Sequence, residues 1–224
     1  MGLISAHRGG PGSAHAPANS LAAFQHAVRL KCDLIEFDVR HHRDGSPYVA
    51  HEPTGDVEAL ALRSVVDVIA GHAIAHVDLK DTGHEIATVE WLVGRLGAAN
   101  MIVTSAEDSS VRTLAAWAQD HAPQLLVGLS SARRTWTGPT WARSVTALHA
   151  AFAARRIRRS GATLIAAHQR HAAWSLRRYA KRRGLPLLVW TVDTPRELER
   201  WVNDPDTWAV VTNVPHVAQQ VRTR

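Results

Sequence analysis

Residues 34–39 read Leu34-Ile35-Glu36-Phe37-Asp38-Val39. Taken as a strand, this run alternates. Ile35, Phe37 and Val39 point to one side, Glu36 and Asp38 to the other, because strand side chains repeat every second residue. Seven more short runs rich in Val, Ile and Leu recur at 3–6, 75–79, 101–105, 125–129, 163–167, 187–192 and 208–212. Such runs read as strands buried on both faces, as in a parallel sheet. An extra strand-like segment, 46–51, follows the turn signal Asp44-Gly45.

Segments of helical period lie between these runs. Asn19 or Ser20 is placed to cap the helix that begins at Leu21. The stretch His84 to Leu96 repeats through Ile86, Val89, Trp91, Leu92 and Leu96, and a further helix runs from Ser109 to His121. Ala172 to Arg183 ends at Gly184, a C-cap residue, and Thr194-Pro195 opens a last clear helix. Eight strands with helices between them indicate an α/β fold, a small (β/α)8 TIM barrel, with an open doubly wound sheet as the alternative. No linker, repeat or low-complexity tract divides the chain, so residues 1–224 read as a single domain.

The 224 residues are 46% hydrophobic and 21% charged, ordinary for a globular protein. The single cysteine, Cys32, excludes an intramolecular disulfide. The first apolar run is too short for a signal peptide or a membrane helix, which leads us to expect a cytoplasmic protein without a transmembrane segment. The formal net charge is +6, and a basic surface favours anionic ligands. The excess lies in Arg155–Arg159, Arg177-Arg178 and Lys181–Arg183. These fall on helices without aromatic interleaving, so they read as solvated helix faces and argue against a nucleic-acid partner.

In a barrel, chemistry gathers at the C-terminal strand ends. The first run ends at His7-Arg8 and the second carries Glu36 and Asp38. The Asp44-Gly45 segment ends at His51-Glu52, and the third run ends Asp78-Leu79-Lys80. His168, Trp190 and Asn213 close later runs. Glu36 and Asp38 share the inward face, where two unpaired carboxylates repel and one tends to stay protonated. A cation relieves that conflict, with Asp78 on the next run as a third oxygen donor. All-oxygen ligation selects Mg2+ or Ca2+ over zinc. Simple pairing of the acids with Arg8 and Lys80 is the alternative. A metal beside Arg8 and Lys80 suits a phosphate. His7 and His51, on separate elements, are placed to act as base and acid.

These residues resemble the glycerophosphodiester phosphodiesterases. The resemblance rests on ordered motifs: His7-Arg8-Gly9-Gly10; Pro17-Ala18-Asn19-Ser20-Leu21; Cys32 to Val39 with Asp44-Gly45 and Val49-Ala50-His51; Asp78-Leu79-Lys80; Trp190 to Asp193; and Thr212 to Pro215. It implies a barrel enzyme, a phosphoric diester hydrolase, with one divalent cation held by Glu36, Asp38 and Asp78. It implies His7 as base and His51 as acid. Arg8 and Lys80 would hold the phosphate, and Trp190, with His168 and Asn19, would lie on the substrate side. The substrate would be a small-molecule or lipid-derived phosphodiester, cleaved to glycerol 3-phosphate and an alcohol. Gly9 and Gly10 would let the backbone turn closely around the ligand.

Four positions depart from the family pattern. Asp78 replaces Glu, Ala18 replaces the Glu of the Pro-Glu-Asn segment, Glu52 replaces Asp, and Asn213 stands where Asp is common. Asp-x-Lys is also similar to the sphingomyelinase D–type phospholipases, which release a cyclic phosphate, so a lyase is one alternative. A non-catalytic basic protein binding phosphate compounds or nucleic acid is another. The stretch from His51 to Asp78 holds room for about one helix, near Val65 to Gly71, where relatives carry a larger insertion. A more open pocket is expected.

Overall fold

The computed structural model describes residues 1–54, 59–131 and 143–222, with side chains from 152 onward in the last segment. The elements run β1 (Leu3–Ala6), α1 (Pro11–Ala14), α2 (Leu21–Arg29), β2 (Leu34–His41), β3 (Pro47–Val49), β4 (Leu60–Ala61), α3 (Leu62–Ile69), β5 (Ile74–Leu79) and α4 (Glu85–Leu96). They continue as β6 (Met101–Ser105), α5 (Asp108–His121), β7 (Leu126–Ser131), α6 (Arg143–Ser160), β8 (Leu164–His168), α7 (Gln169–His171), α8 (Arg177–Arg183), β9 (Leu187–Trp190), α9 (Pro195–Val202), β10 (Ala209–Thr212) and α10 (Pro215–Arg222).

Eight strands pair in parallel and close on themselves. β1 sits between β10, in register Leu3 to Ala209, and β2, in register Ser5 to Leu34. A helix follows each barrel strand, which is the (β/α)8 topology expected from the eight apolar runs. The segment after Asp44-Gly45 forms an antiparallel extension, with β3 pairing the end of β2 and β4 pairing β3. Among the described residues one helix follows it, α3 at Leu62–Ile69, overlapping the Val65–Gly71 stretch where one helix was expected. The helix expected over Ala172–Arg183 is broken. Residues Ala172–Leu176 form a π-helical turn, and the regular helix α8 begins only at Arg177.

The alternation in β2 divides two apolar layers. Ile35, Phe37 and Val39 belong to the large core between sheet and helices. Leu34, with Ile102, Leu164, Ala166, Leu188, Ala209 and Val211, fills the smaller interior of the barrel. Phe37 meets Phe24 of α2 edge-on, with ring centres 6.2 Å apart. Such a pair contributes about 1 kcal/mol beyond its burial. At the β1–β2 seam, Asp33 Oδ2 accepts from the Ile4 amide at 2.8 Å and pairs with Arg222 of α10.

Ser20 is the cap of α2, accepting from the Ala23 amide at 3.3 Å. Asn19, beside it, turns its side-chain amide to β2 instead. Thr194 caps α9 and Gly184 closes α8 in the left-handed conformation. Packing requires Gly9: its φ is +82°, and a Cβ there would lie 2.7 Å from the Ala23 Cβ of α2. Gly10 is likewise covered by Pro215. Among the described residues no helix is long and apolar enough to cross a membrane. In the basic segments, Arg156 pairs with Asp108 at 2.8 Å, and Arg177 and Lys181 pair with Asp204 and Asp206.

Candidate active site

The turn after β1 sets the site. His7–Gly9 form a 3-10 turn in which Arg8 has φ +51°. A left-handed non-glycine residue costs roughly 1–3 kcal/mol. Two backbone hydrogen bonds hold it. The Arg8 amide donates to Glu36 Oε2 at 2.6 Å, and the Arg8 carbonyl accepts from the Asn19 amide at 3.0 Å. Asn19 is also left-handed, at φ +58°. Its side-chain amide donates to Asp38 Oδ2 at 2.8 Å. The loop 7–19 is thus fastened to both carboxylates of β2.

β2 and β5 are in register at Asp38 and Asp78. Parallel pairing therefore brings Glu36, Asp38 and Asp78 together, and each offers a carboxylate oxygen within 4.8 Å of the other two. Asp38 is fully buried and Glu36 is 4% exposed. Arg8 and Lys80 do pair with these acids. Arg8 Nε lies 3.0 Å from Asp38 Oδ2, Lys80 Nζ lies 2.7 Å from Asp38 Oδ1, and Lys80 also pairs with Asp78. Glu36 receives only the Arg8 amide among the described residues.

The titration directions follow. Burial raises Glu36 well above the carboxylate range, and the Asp38 and Asp78 charges raise it further. Burial pushes Asp38 the same way, but Lys80, Arg8 and the Asn19 amide outweigh it and hold Asp38 low. Burial acts to lower Lys80, yet Asp78 and Asp38 raise it on balance.

His7 Nδ1 lies 2.8 Å from Asn213 Oδ1. The Asn213 amide nitrogen donates to Asp193 Oδ2 at 2.8 Å, and its backbone N–H donates to Asp193 Oδ1 at 2.8 Å. Because the NH2 end must face the carboxylate, the oxygen faces His7. His7 then donates from Nδ1 and leaves Nε2 free. Burial lowers the His7 pKa, and Arg8 lowers it further. His51 follows β3. Its Nδ1 lies 2.8 Å from Arg8 Nη2 and 3.3 Å from Asp38 Oδ2. Its Nε2 is 3.5 Å from Glu52 Oε1.

A cavity of about 200 Å³ joins His7, Arg8, His51, Glu36, Asp78, Lys80 and Trp190. Asn19 and His168 do not line it. Asn19 supports Asp38 from behind. His168 packs edge-on against Trp190, ring centres 5.6 Å apart, and caps the next turn by accepting from the Arg170 amide. Ala18 is exposed. Three residues absent from the sequence-based site belong here: Asp193, Thr104 and His76. Thr104 Oγ1 donates to Asp78 Oδ1 at 2.6 Å. His76 is buried, and burial pushes its pKa down to about 4. The alternation His76, Asp78, Lys80 along β5 was the available signal for His76.

Fold and site together define a parallel (β/α)8 barrel with a carboxylate–cation cluster and two histidines at the C-terminal mouth. Residues 7–86 match the family described as the Glycerophosphoryl diester phosphodiesterase family, the part of the chain that carries the motifs from His7 to Lys80. The chain is 44% identical over 54 residues to a glycerophosphodiester phosphodiesterase of Caldanaerobacter subterraneus subsp. tengcongensis. That match covers 24% of this chain and about a fifth (21%) of the relative's length. Among solved structures, a glycerophosphodiester phosphodiesterase from Parabacteroides distasonis superposes with TM-score 0.76 at 16% identity, over 99% of this chain and 96% of its own. A phosphodiesterase from Oleispira antarctica, in complex with the product sn-glycerol-3-phosphate, gives TM-score 0.72 at 18% identity, over 100% and 98%. At these identities the structures establish the shared fold.

Proposed function

We propose that the protein is a divalent-cation-dependent phosphodiesterase of a single barrel domain, hydrolysing glycerophosphodiesters to glycerol 3-phosphate and an alcohol. One observation carries the cation. Three acids and two basic side chains meet in the site, and the acid left over, Glu36, is buried without an ion pair among the described residues. Oxygen-only donors of this kind fit Mg2+ or Ca2+, with Glu36, Asp38 and Asp78 as the holding residues. A bound ion would polarise the phosphoryl oxygens.

The protein's own groups supply the rest. Arg8 and Lys80 neutralise the phosphate charge and fix its position. His7, oriented through Nδ1 by Asn213, takes a proton at Nε2 from the substrate's adjacent hydroxyl as that oxygen attacks phosphorus. His51, on the loop after β3, gives a proton to the leaving alkoxide, and water then opens the cyclic phosphate with the two proton transfers reversed, leaving glycerol 3-phosphate. The lowered His7 pKa keeps that base neutral at pH 7. Trp190 offers a buried indole N–H that has no hydrogen-bond partner among the described residues, a free donor for the substrate. The glycerol 3-phosphate bound by the Oleispira antarctica neighbour supports the choice of substrate class.

The test is turnover of glycerophosphodiesters with Mg2+ or Ca2+, followed by phosphorus NMR of the products. Wild-type activity should vanish with a chelator and return with the ion, and Glu36→Ala should not respond to either. Turnover indifferent to chelation and to Glu36→Ala overturns the cation site. A cyclic phosphate that accumulates without its monoester overturns hydrolysis in favour of a lyase.

A further inference from the structure

The barrel interior holds a polar chain that the proposed reaction leaves unused. Ser5 on β1, His76 on β5 and Thr104 on β6 are all buried, at 0%, 3% and 2% exposure. Ser5 Oγ lies 3.2 Å from His76 Nδ1, His76 Nε2 lies 3.1 Å from Thr104 Oγ1, and Thr104 Oγ1 lies 2.6 Å from Asp78 Oδ1. β5 and β6 are paired with Asp78 directly opposite Thr104.

Proton counting gives the chain a direction. An ionised carboxylate only accepts, so the one hydroxyl proton of Thr104 goes to Asp78. Thr104 must then accept from His76, which puts the ring proton on Nε2. Nδ1 is left as an acceptor, and Ser5 donates to it. All three contacts are satisfied by one arrangement: neutral His76 in its Nε2–H form. No polar atom of the three side chains is left unpaired in a place where an orphan donor costs roughly 1–3 kcal/mol.

We propose that Ser5, His76 and Thr104 are positioning residues that fix the plane of the Asp78 carboxylate at the cation site. The role rests on the cation site proposed above. The chain explains how an aspartate serves at this position. Its side chain is one methylene shorter than glutamate, so its oxygens can sweep less space to find an ion. The Thr104 hydroxyl, anchored from behind, holds one oxygen in place while Lys80 meets the other. Partners of metal ligands that orient them typically change metal affinity by roughly 10–100-fold when removed.

The experiment has two readouts on metal-free and metal-titrated protein. Nitrogen NMR of the histidine rings should find His76 neutral with its proton on Nε2. Calorimetric titration with Mg2+ or Ca2+ alone should give Thr104→Val an affinity about tenfold or more below wild type, with Thr104→Ser restoring it. Ser5→Ala should disturb the His76 Nδ1 resonance first. An Nδ1–H or doubly protonated His76 in wild type overturns the relay. So does Thr104→Val binding the ion as wild type does, while Glu36→Ala has lost it. Wild type and Glu36→Ala binding alike would instead overturn the cation site. Thermal melts of each variant identify any that fail to fold, and Thr104→Ser keeps the test decisive in that case.

Discussion

The two halves of the barrel are built from different material. The β1, β2 and β5 side presents Arg8, Glu36, Asp78 and Lys80 to the cavity, with Asp38 buried behind them. Across from it, β7 to β10 present Ser130, Ala166, Leu188, Trp190 and Val211. Charge is confined to neighbouring strands, where each acid has a basic group or an amide within reach. Apart from Ser130 the facing wall is apolar, and a low-dielectric wall strengthens the electrostatics opposite. The family match, residues 7–86, covers the charged half. Over the other half the likeness is one of fold.

The largest effects should come from the charged half. His7→Ala is expected to lower kcat by roughly 10²–10⁴-fold, the usual contribution of a positioned acid or base, with the fold intact by circular dichroism. In wild type the acid limb of the rate profile should fall below pH 6.5, because a base with a lowered pKa stays neutral to lower pH. Asn213→Asp places a carboxylate against His7 and should move that limb upward. An unmoved limb would separate His7 from the base role.

How much could be read from the chain follows the same division. The eight strands and the inward face of Glu36 and Asp38 follow from alternation and apolar runs, which are local. So do Ser20, Thr194 and Gly184 as caps. A strand-end position does not say how a side chain is used: His168 ends β8, caps the turn that follows and stacks edge-on against the cavity-lining Trp190. Asp193 and Thr104 were missed because their partners lie on other strands. Asp193 meets Asn213, 20 residues on, and Thr104 meets Asp78, 26 residues back. Such contacts exist only once the barrel closes. The competition between cation and salt bridge also needed geometry. Arg8 and Lys80 do pair with the acids, but they converge on Asp38 and Asp78 and leave Glu36 alone.

The apolar half should respond in stability and not in chemistry. Leu164 is fully buried inside the barrel and packs where Gly128 leaves room for it, a Cβ on Gly128 falling 2.6 Å from Leu164 Cδ2. Leu164→Ala should cost about 2–5 kcal/mol in denaturant unfolding. Its kcat at a temperature where it remains folded should stay within about twofold of wild type, well below one factor of ten or ~1.4 kcal/mol. A large loss of kcat in folded protein would show that the two halves are coupled more tightly than their compositions imply.

Trp190 is where the division is least clean, so it gives the smallest and most discriminating effect. Its ring belongs to the apolar wall, against the barrel interior and His168. Its indole N–H, however, is buried without a partner among the described residues. A lone buried donor of this kind is destabilising in the empty site and is relieved when a substrate oxygen reaches it. Trp190→Phe keeps the apolar contact and removes the donor. One neutral hydrogen bond of about 0.5–1.5 kcal/mol corresponds to a rise in KM of roughly 2–10-fold, with kcat little changed if the contact is the same in ground and transition states. The variant should also be no less stable than wild type, since it deletes an unsatisfied group. If KM is unchanged while stability falls, Trp190 is purely a packing residue and the apolar wall takes no part in holding the substrate.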